Sequence, residues 1–279
     1  MKIKAFQGFR YNPDVVGDPG RCIAPPYDVI DADQQQRLYD QTEYNIVRVS
    51  KGKTFTADNE SDNVYTRANA FLRDFLRRGA LQQDPKDTLY VYAQDFTIGD
   101  TSYRRTGFIA LGELQDYGGA VKPHEQTLAG PKADRLNLTR ATKTQIGQIF
   151  LLYSDPAQTI DALLEQACRG RELLRHVDED QVTHRLFALT DPAQIKTIQN
   201  IIADKDVFIA DGHHRYETAV NYYRETGLPA AAWQMMAFIN MHNEGLIVLP
   251  THRLIHDLPD FDPDHLLDNP SYPSPRELS

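Results

Sequence analysis

Five consecutive residues, Asp211-Gly212-His213-His214-Arg215, bring together a carboxylate, a glycine, two imidazoles and a guanidinium. They follow the apolar run Val207-Phe208-Ile209-Ala210 and open a stretch of helical character. A strand that ends in glycine and starts a helix exposes backbone N–H groups with no partner inside the helix. The helix dipole adds partial positive charge at the same place. A glycine there lets a ligand approach the backbone closely. These are the parts of a phosphate site, so Gly212, His213, His214 and Arg215 are the candidate phosphate-binding residues. An aspartate beside phosphate is repulsive. Asp211 is therefore expected to hold a metal that bridges phosphates, or to polarise a hydroxyl. The plainer alternative is a turn with an Asp cap and solvated basic side chains.

A second group of ionisable residues is His124-Glu125-Gln126-Thr127, followed by Gly130-Pro131-Lys132-Ala133-Asp134-Arg135. Lys132 and Arg135 suit phosphate or carboxylate groups. His124 and Glu125 suit a base or a metal ligand, which makes Glu125 a metal candidate alongside Asp211. No second His follows Glu125 at the zinc-protease spacing. The plainer alternative is a salt-bridged loop. Two further clusters are Pro250-Thr251-His252-Arg253 and Ala24-Pro25-Pro26-Tyr27-Asp28. Each, taken alone, reads as a polar turn. Thr127, Thr251, His252 and Arg253 are the candidates for holding a substrate. His176, His184, His242, His256 and His265 lack sequence partners and read as surface or packing residues. Tyr90 and Tyr92 read as strand packing.

The elements that must position these groups are readable in outline. Residues 207–210 predict a buried strand, and 213–226 a helix closed by Gly227 with Pro229 beyond. Residues 122–140 predict a long loop running into a short helix. Helices are expected at 31–40, 63–78, 156–169 and 192–203, the last with Pro at its first turn. Strands are expected at 45–50, 89–98, 103–114, 148–153 and 184–189, with Gly99-Asp100 as a hairpin turn. A second hairpin is expected from 233–241 and 246–249. The Gly- and Pro-rich first thirty residues predict an irregular but ordered segment.

Hydrophobic residues make up 41% of the 279 and charged residues 25%, so a normal core can form. The 39 acidic residues outnumber the 30 basic ones and give a net charge of -9. That balance argues against a nucleic-acid partner but leaves room for a local basic cluster around a nucleotide. Two cysteines exclude a disulfide framework and fit a reducing cytosol. No leader with an apolar core and no apolar stretch of spanning length is visible, so no membrane partner is expected. The expected location is cytoplasmic.

The four polar segments occur together, in this order, in one family. On Ala24-Pro25-Pro26-Tyr27-Asp28-Val29, His124-Glu125-Gln126-Thr127, Lys132-Ala133-Asp134-Arg135-Leu136, the 209–219 stretch and Leu249-Pro250-Thr251-His252-Arg253, the chain resembles the prokaryotic family called domain of unknown function 1015. Members of that family are usually longer, so the proline-rich end is expected to be a cut edge or a short version. More distantly, the Asp211–Arg215 turn looks like the nucleotide-binding turn of the ParB and sulfiredoxin superfamily. It is similar to the Asp-Gly-His-Thr-Arg turn of that group's free-serine kinases, with His214 where they carry Thr. His213 stands where sulfiredoxin has its reactive Cys, which removes the peroxide-repair chemistry. This resemblance implies that Gly212, His214 and Arg215 contact phosphates and that Asp211 sits at the transfer point.

The expectation is a mixed α/β (α+β) protein. Residues 1–120 form an N-terminal α/β region, 121–258 a ParB/sulfiredoxin-like region carrying the site, and 259–279 a proline-rich tail. The expected function is phosphoryl transfer from ATP, with Mg, to a small hydroxyl substrate such as free serine, with ATP or ADP as the bound nucleotide. Asp211, His124 and Glu125 would carry the catalytic roles. The alternatives are a metal-dependent hydrolase or phosphatase, built on His213, His214, His252 and Glu125, and a non-catalytic nucleotide sensor.

Overall fold

The computed structural model describes residues 1–125 and 129–249, with the side chains of Ala129 and Pro131 left aside. The expected tail at 259–279 lies outside the described residues. In chain order the elements are β1 (Ile3–Lys4), β2 (Phe9–Tyr11), α1 (Pro13–Val16), α2 (Ala32–Gln41), α3 (Val47–Ser50), α4 (Val64–Arg77), β3 (Leu81–Gln83), β4 (Leu89–Ile98), β5 (Thr101–Glu113) and β6 (Val121–Lys122). Then come α5 (Ala129–Thr142), β7 (Ile149–Tyr153), α6 (Thr159–Ala167), β8 (Glu172–Val177), β9 (Thr183–Leu189), α7 (Pro192–Ala203), β10 (Val207–Asp211), α8 (His213–Thr226) and β11 (Trp233–Asn240). The protein is mixed α/β, as expected.

Nine strands form one mixed sheet in the order β6-β10-β7-β11-β5-β4-β9-β8, with β1 paired to β5. The β6–β10 and β7–β11 pairs are parallel and the others antiparallel. The long β4–β5 hairpin turns at Gly99, whose φ of 58° suits glycine. Alternation along the strands puts Val91, Phe108, Leu151, Phe187 and Phe238 into one buried layer. Ile160 and Leu164 of α6 and Ile198 and Ile202 of α7 close over that layer. Phe108 and Phe238 lie opposite each other in the β5–β11 ladder, stacked at 4.9 Å between ring centres. Truncating either to Ala removes about 3–5 kcal/mol of packing.

A smaller core joins α3, α4 and α5 through Val49, Leu72, Phe75 and Leu138. The start of α4 is set by a reciprocal cap. Asn63 Oδ1 accepts from Thr66 N–H at 3.1 Å, and Thr66 Oγ1 accepts from Asn63 N–H at 2.9 Å.

Three expectations need correction. Residues 45–50 do not form a strand. Asn45, fully buried, ties Arg21 and Ile23 carbonyls to its amide and caps the turn by accepting from Val47 N–H at 2.9 Å. The buried Val47 and Val49 then sit on one helical turn, so capping and burial override β-branched preference. The hairpin expected from 233–241 and 246–249 is absent, because β11 already has β5 on one side and β7 on the other. The segment 122–140 carries a 14-residue helix, α5, rather than a long loop with a short one. His184, read from the sequence as a surface or packing residue, shares a hydrogen bond with Tyr92 Oη at 2.5 Å and pairs with Asp178 at 2.8 Å.

Candidate phosphate-binding site

The turn after β10 is built as the sequence suggests. Val207 and Ile209 are buried, and Phe150 of β7 lies opposite Asp211 after a register shift between Ile209 and Asp211. Such a bulge re-aims the next side chain. Gly212 follows with φ 99° and ψ 29°, a left-handed conformation that glycine adopts without penalty. It is the N-cap of α8, and no side chain caps this helix start. The Asp-cap alternative is therefore not the arrangement found.

Arg215 folds back over the turn. Its Nη2 donates to Asp211 Oδ2 at 2.6 Å, and its Nη1 donates to the Gln148 carbonyl. A Cβ added at Gly212 would lie 3.1 Å from Arg215 Nε. The guanidinium thus rests against the bare backbone of the glycine. Asp211 stays 60% exposed while Arg215 is only 18% exposed, so the carboxylate is the reachable partner.

His213 points inward and is buried, as is Tyr216 one turn on. The Nε2 of His213 accepts from the His124 backbone N–H at 3.3 Å, and the two rings meet edge to face at 4.5 Å. A neutral ring that accepts on Nε2 carries its proton on Nδ1. That Nδ1 lies 3.3 Å from Glu125 Oε2, within ion-pair distance but at an angle that makes no hydrogen bond. Burial is the main cause of a lowered His213 pKa, helped by the field of His124 and opposed by Glu125 and Asp211. His213 thus turns toward the 124–125 segment and is almost closed to solvent. His214 occupies the next position of the first turn of α8, half-buried.

Helix α5 packs along α8 and carries the other cations to the same place. Lys132 Nζ pairs with Glu217 of α8 at 2.8 Å. Arg135 is held by Asp134 and by the Ser50 carbonyl, and its guanidinium sits 3.9 Å over the ring of Tyr27. Burial raises the pKa of Tyr27, while the charges of Arg135 and Arg215 pull it down. Tyr27 therefore stands within the fields of both arginines. Three of the four polar segments meet here. The contribution of Tyr27 was hidden inside a segment that alone reads as a turn, and Tyr65, which donates to Asp134 at 3.0 Å, carried no sequence signal of its own.

Over residues 3–271 the chain matches the model of a family described as protein of unknown function (DUF1015). The chain belongs to the DUF1015 family. No curated protein and no solved structure matches it. In this DUF1015 protein Thr127, Thr251, His252 and Arg253, the candidates for holding a substrate, lie outside the described residues. Asp211 and Glu125, the candidate metal ligands, both act on the His213 ring electrostatically. Among the described residues no group of three or more His, Cys, Asp or Glu side chains converges as a metal cluster. No described helix is long and apolar enough to cross a membrane.

Proposed function

We propose that the Asp211–Arg215 turn binds the phosphates of ATP or ADP and transfers a phosphoryl group to a small hydroxyl substrate. The observation that carries this reading is the turn itself. A left-handed glycine opens a helix whose start no side chain caps by a hydrogen bond, and an arginine fork lies against it. Backbone N–H groups and a guanidinium then present donors to the same phosphate oxygens. The likeness of the turn to that of the ParB/sulfiredoxin superfamily supports the same ligand.

Incoming phosphates compete with Asp211 for Arg215 and with Glu217 for Lys132. Both cations are parked on carboxylates at 2.6 and 2.8 Å, in geometry that a phosphate can replace. Once Arg215 turns to phosphate, Asp211 is released at an exposed position. Its carboxylate accepts the proton of the acceptor hydroxyl as that oxygen bonds to the γ-phosphorus and the bond to the ADP oxygen breaks. Mg, which takes one or two carboxylates together with phosphate oxygens, fits an exposed Asp211 with Glu125 as the second candidate. When bound it supplies charge neutralisation. Arg135 is the reserve cation nearest Tyr27, and His124 sits where it can relay a proton beside Glu125.

Incubating the protein with γ-labelled ATP, Mg and a panel of small hydroxyl compounds tests this reading. Labelled product that disappears in Asp211→Asn supports it. ATP bound but never turned over, with any acceptor, leaves the sensor reading in its place.

A further inference from the structure

A cavity of about 430 Å³ opens between the 50–55 loop, the start of α4 and the middle of α5. That volume lies in the range of small-molecule sites, about 300–1,000 Å³. Its walls include Ser50, Lys51, Lys53, Tyr65, Asp134 and Arg135. Arg135 is shared with the phosphate turn, since its guanidinium lies over Tyr27, which stands in the field of Arg215. The cavity thus shares α5 with the phosphate turn, since α5 carries Arg135 and packs along α8, the helix that the turn opens.

The charge of its walls is unbalanced. Asp134 is occupied on both oxygens, by Tyr65 Oη at 3.0 Å and by Arg135 at 2.5 Å. The nearby Asp58 and Asp62 are occupied by Arg67. Lys53 rests 4.7 Å over the Tyr39 ring and donates to Gln36, a neutral partner. Among the described residues, no carboxylate pairs with Lys51 or Lys53. Two cations without counter-charge on one cavity wall call for an oxyanion.

We propose that this cavity is the acceptor pocket and that it takes a small hydroxyl compound bearing an anionic group, with Lys51 and Lys53 recognising that group. Its role as acceptor pocket rests on the phosphoryl-transfer reading of the turn, whereas its preference for an anion does not. Arg135 then faces the acceptor from the cavity wall.

Calorimetric titration with glycerate, glycerol 3-phosphate and glycerol tests this, because the three share a backbone and differ in charge. Glycerate or glycerol 3-phosphate is expected to bind and neutral glycerol not. Lys51→Ala should weaken the anion about tenfold or more, and Lys51→Arg should restore most of the loss. ATP affinity should be unchanged in Lys51→Ala, since Lys51 lies outside the turn. Which anion binds identifies carboxylate or phosphate as the recognised group. Binding of all three alike, binding of none, or indifference of the bound anion to Lys51→Ala and Lys53→Ala together would overturn the proposal. If the anion binds through Lys51 but the wild-type protein does not bind ATP, the anion pocket stands and the phosphoryl-transfer reading falls.

Discussion

The guanidinium of Arg215 lies against Gly212, where an added Cβ would be 3.1 Å from Nε and 3.2 Å from Cζ. The contact exists because Gly212 has no side chain and a φ of 99°. Gly212→Ala should therefore act twice. The left-handed backbone costs a non-glycine residue about 1–2 kcal/mol, and the Cβ pushes the arginine off the turn. A lower Tm together with weakened phosphate-ligand binding is the expected outcome, read by thermal melts with and without ADP. Unchanged ligand affinity in a folded Gly212→Ala protein would show that the close approach is not needed.

Asp211 and Arg215, paired at 2.6 Å, should separate binding from turnover. Arg215→Ala should weaken ATP about ten- to a hundredfold, the loss expected for one charge-assisted contact of roughly 1.5–3 kcal/mol. Asp211→Asn removes a negative charge beside polyphosphate and frees the arginine. It should keep or improve ATP affinity while abolishing transfer. Titrations of both variants, set against a transfer assay, check the split.

Glu217 holds Lys132 at 2.8 Å across the α5–α8 interface. If phosphate must draw Lys132 away, Glu217→Gln should raise ATP affinity, and Lys132→Met should lower it. The ion pair itself is partly exposed and is worth less than about 1 kcal/mol to the fold. Both variants should thus melt close to the wild type. Equal ATP affinity in the two would place Lys132 outside the site.

His213 should make stability depend on pH. Burial lowers its pKa from the ordinary 6.5, so the unfolded chain binds the proton more readily than the folded one. The stability this gives is fully present above 6.5 and is lost as pH falls from there toward the folded value. His213→Gln removes the titration. The difference in Tm between wild type and His213→Gln should shrink between about pH 7.5 and pH 5.5. A constant difference would mean that the ring is not kept neutral by its surroundings.

Elements with local punctuation were legible in the sequence. Asn63 caps α4, Asp191 and Pro192 open α7, and Gly227 closes α8 with φ 62°. The alternation of β4 and β5 and the strand–glycine–helix unit at Gly212 were legible for the same reason. What failed depended on partners distant in the chain. The turn at Val47 needs the carbonyls of Arg21 and Ile23 to hold Asn45, and nothing near residue 45 announces them. The interior position of β11 depends on β5 and β7. At the site, the 211–215 turn was legible from its strand–glycine–helix pattern, and the ionisable residues of 124–135 from their density. That Tyr27 would lie beneath Arg135, and that Lys51 and Lys53 would line a cavity, followed only from packing between segments distant in the chain.

The central claim is that a nucleotide phosphate binds at Gly212 and Arg215. Calorimetric titration of the wild-type protein and of Arg215→Ala with ATP and with ADP, in the presence of magnesium, tests it most directly. Saturable binding of at least one nucleotide to the wild type, weakened about ten- to a hundredfold in Arg215→Ala, is the predicted result. Absence of binding by both nucleotides to the folded wild-type protein would contradict the claim and remove the phosphotransferase and sensor readings together.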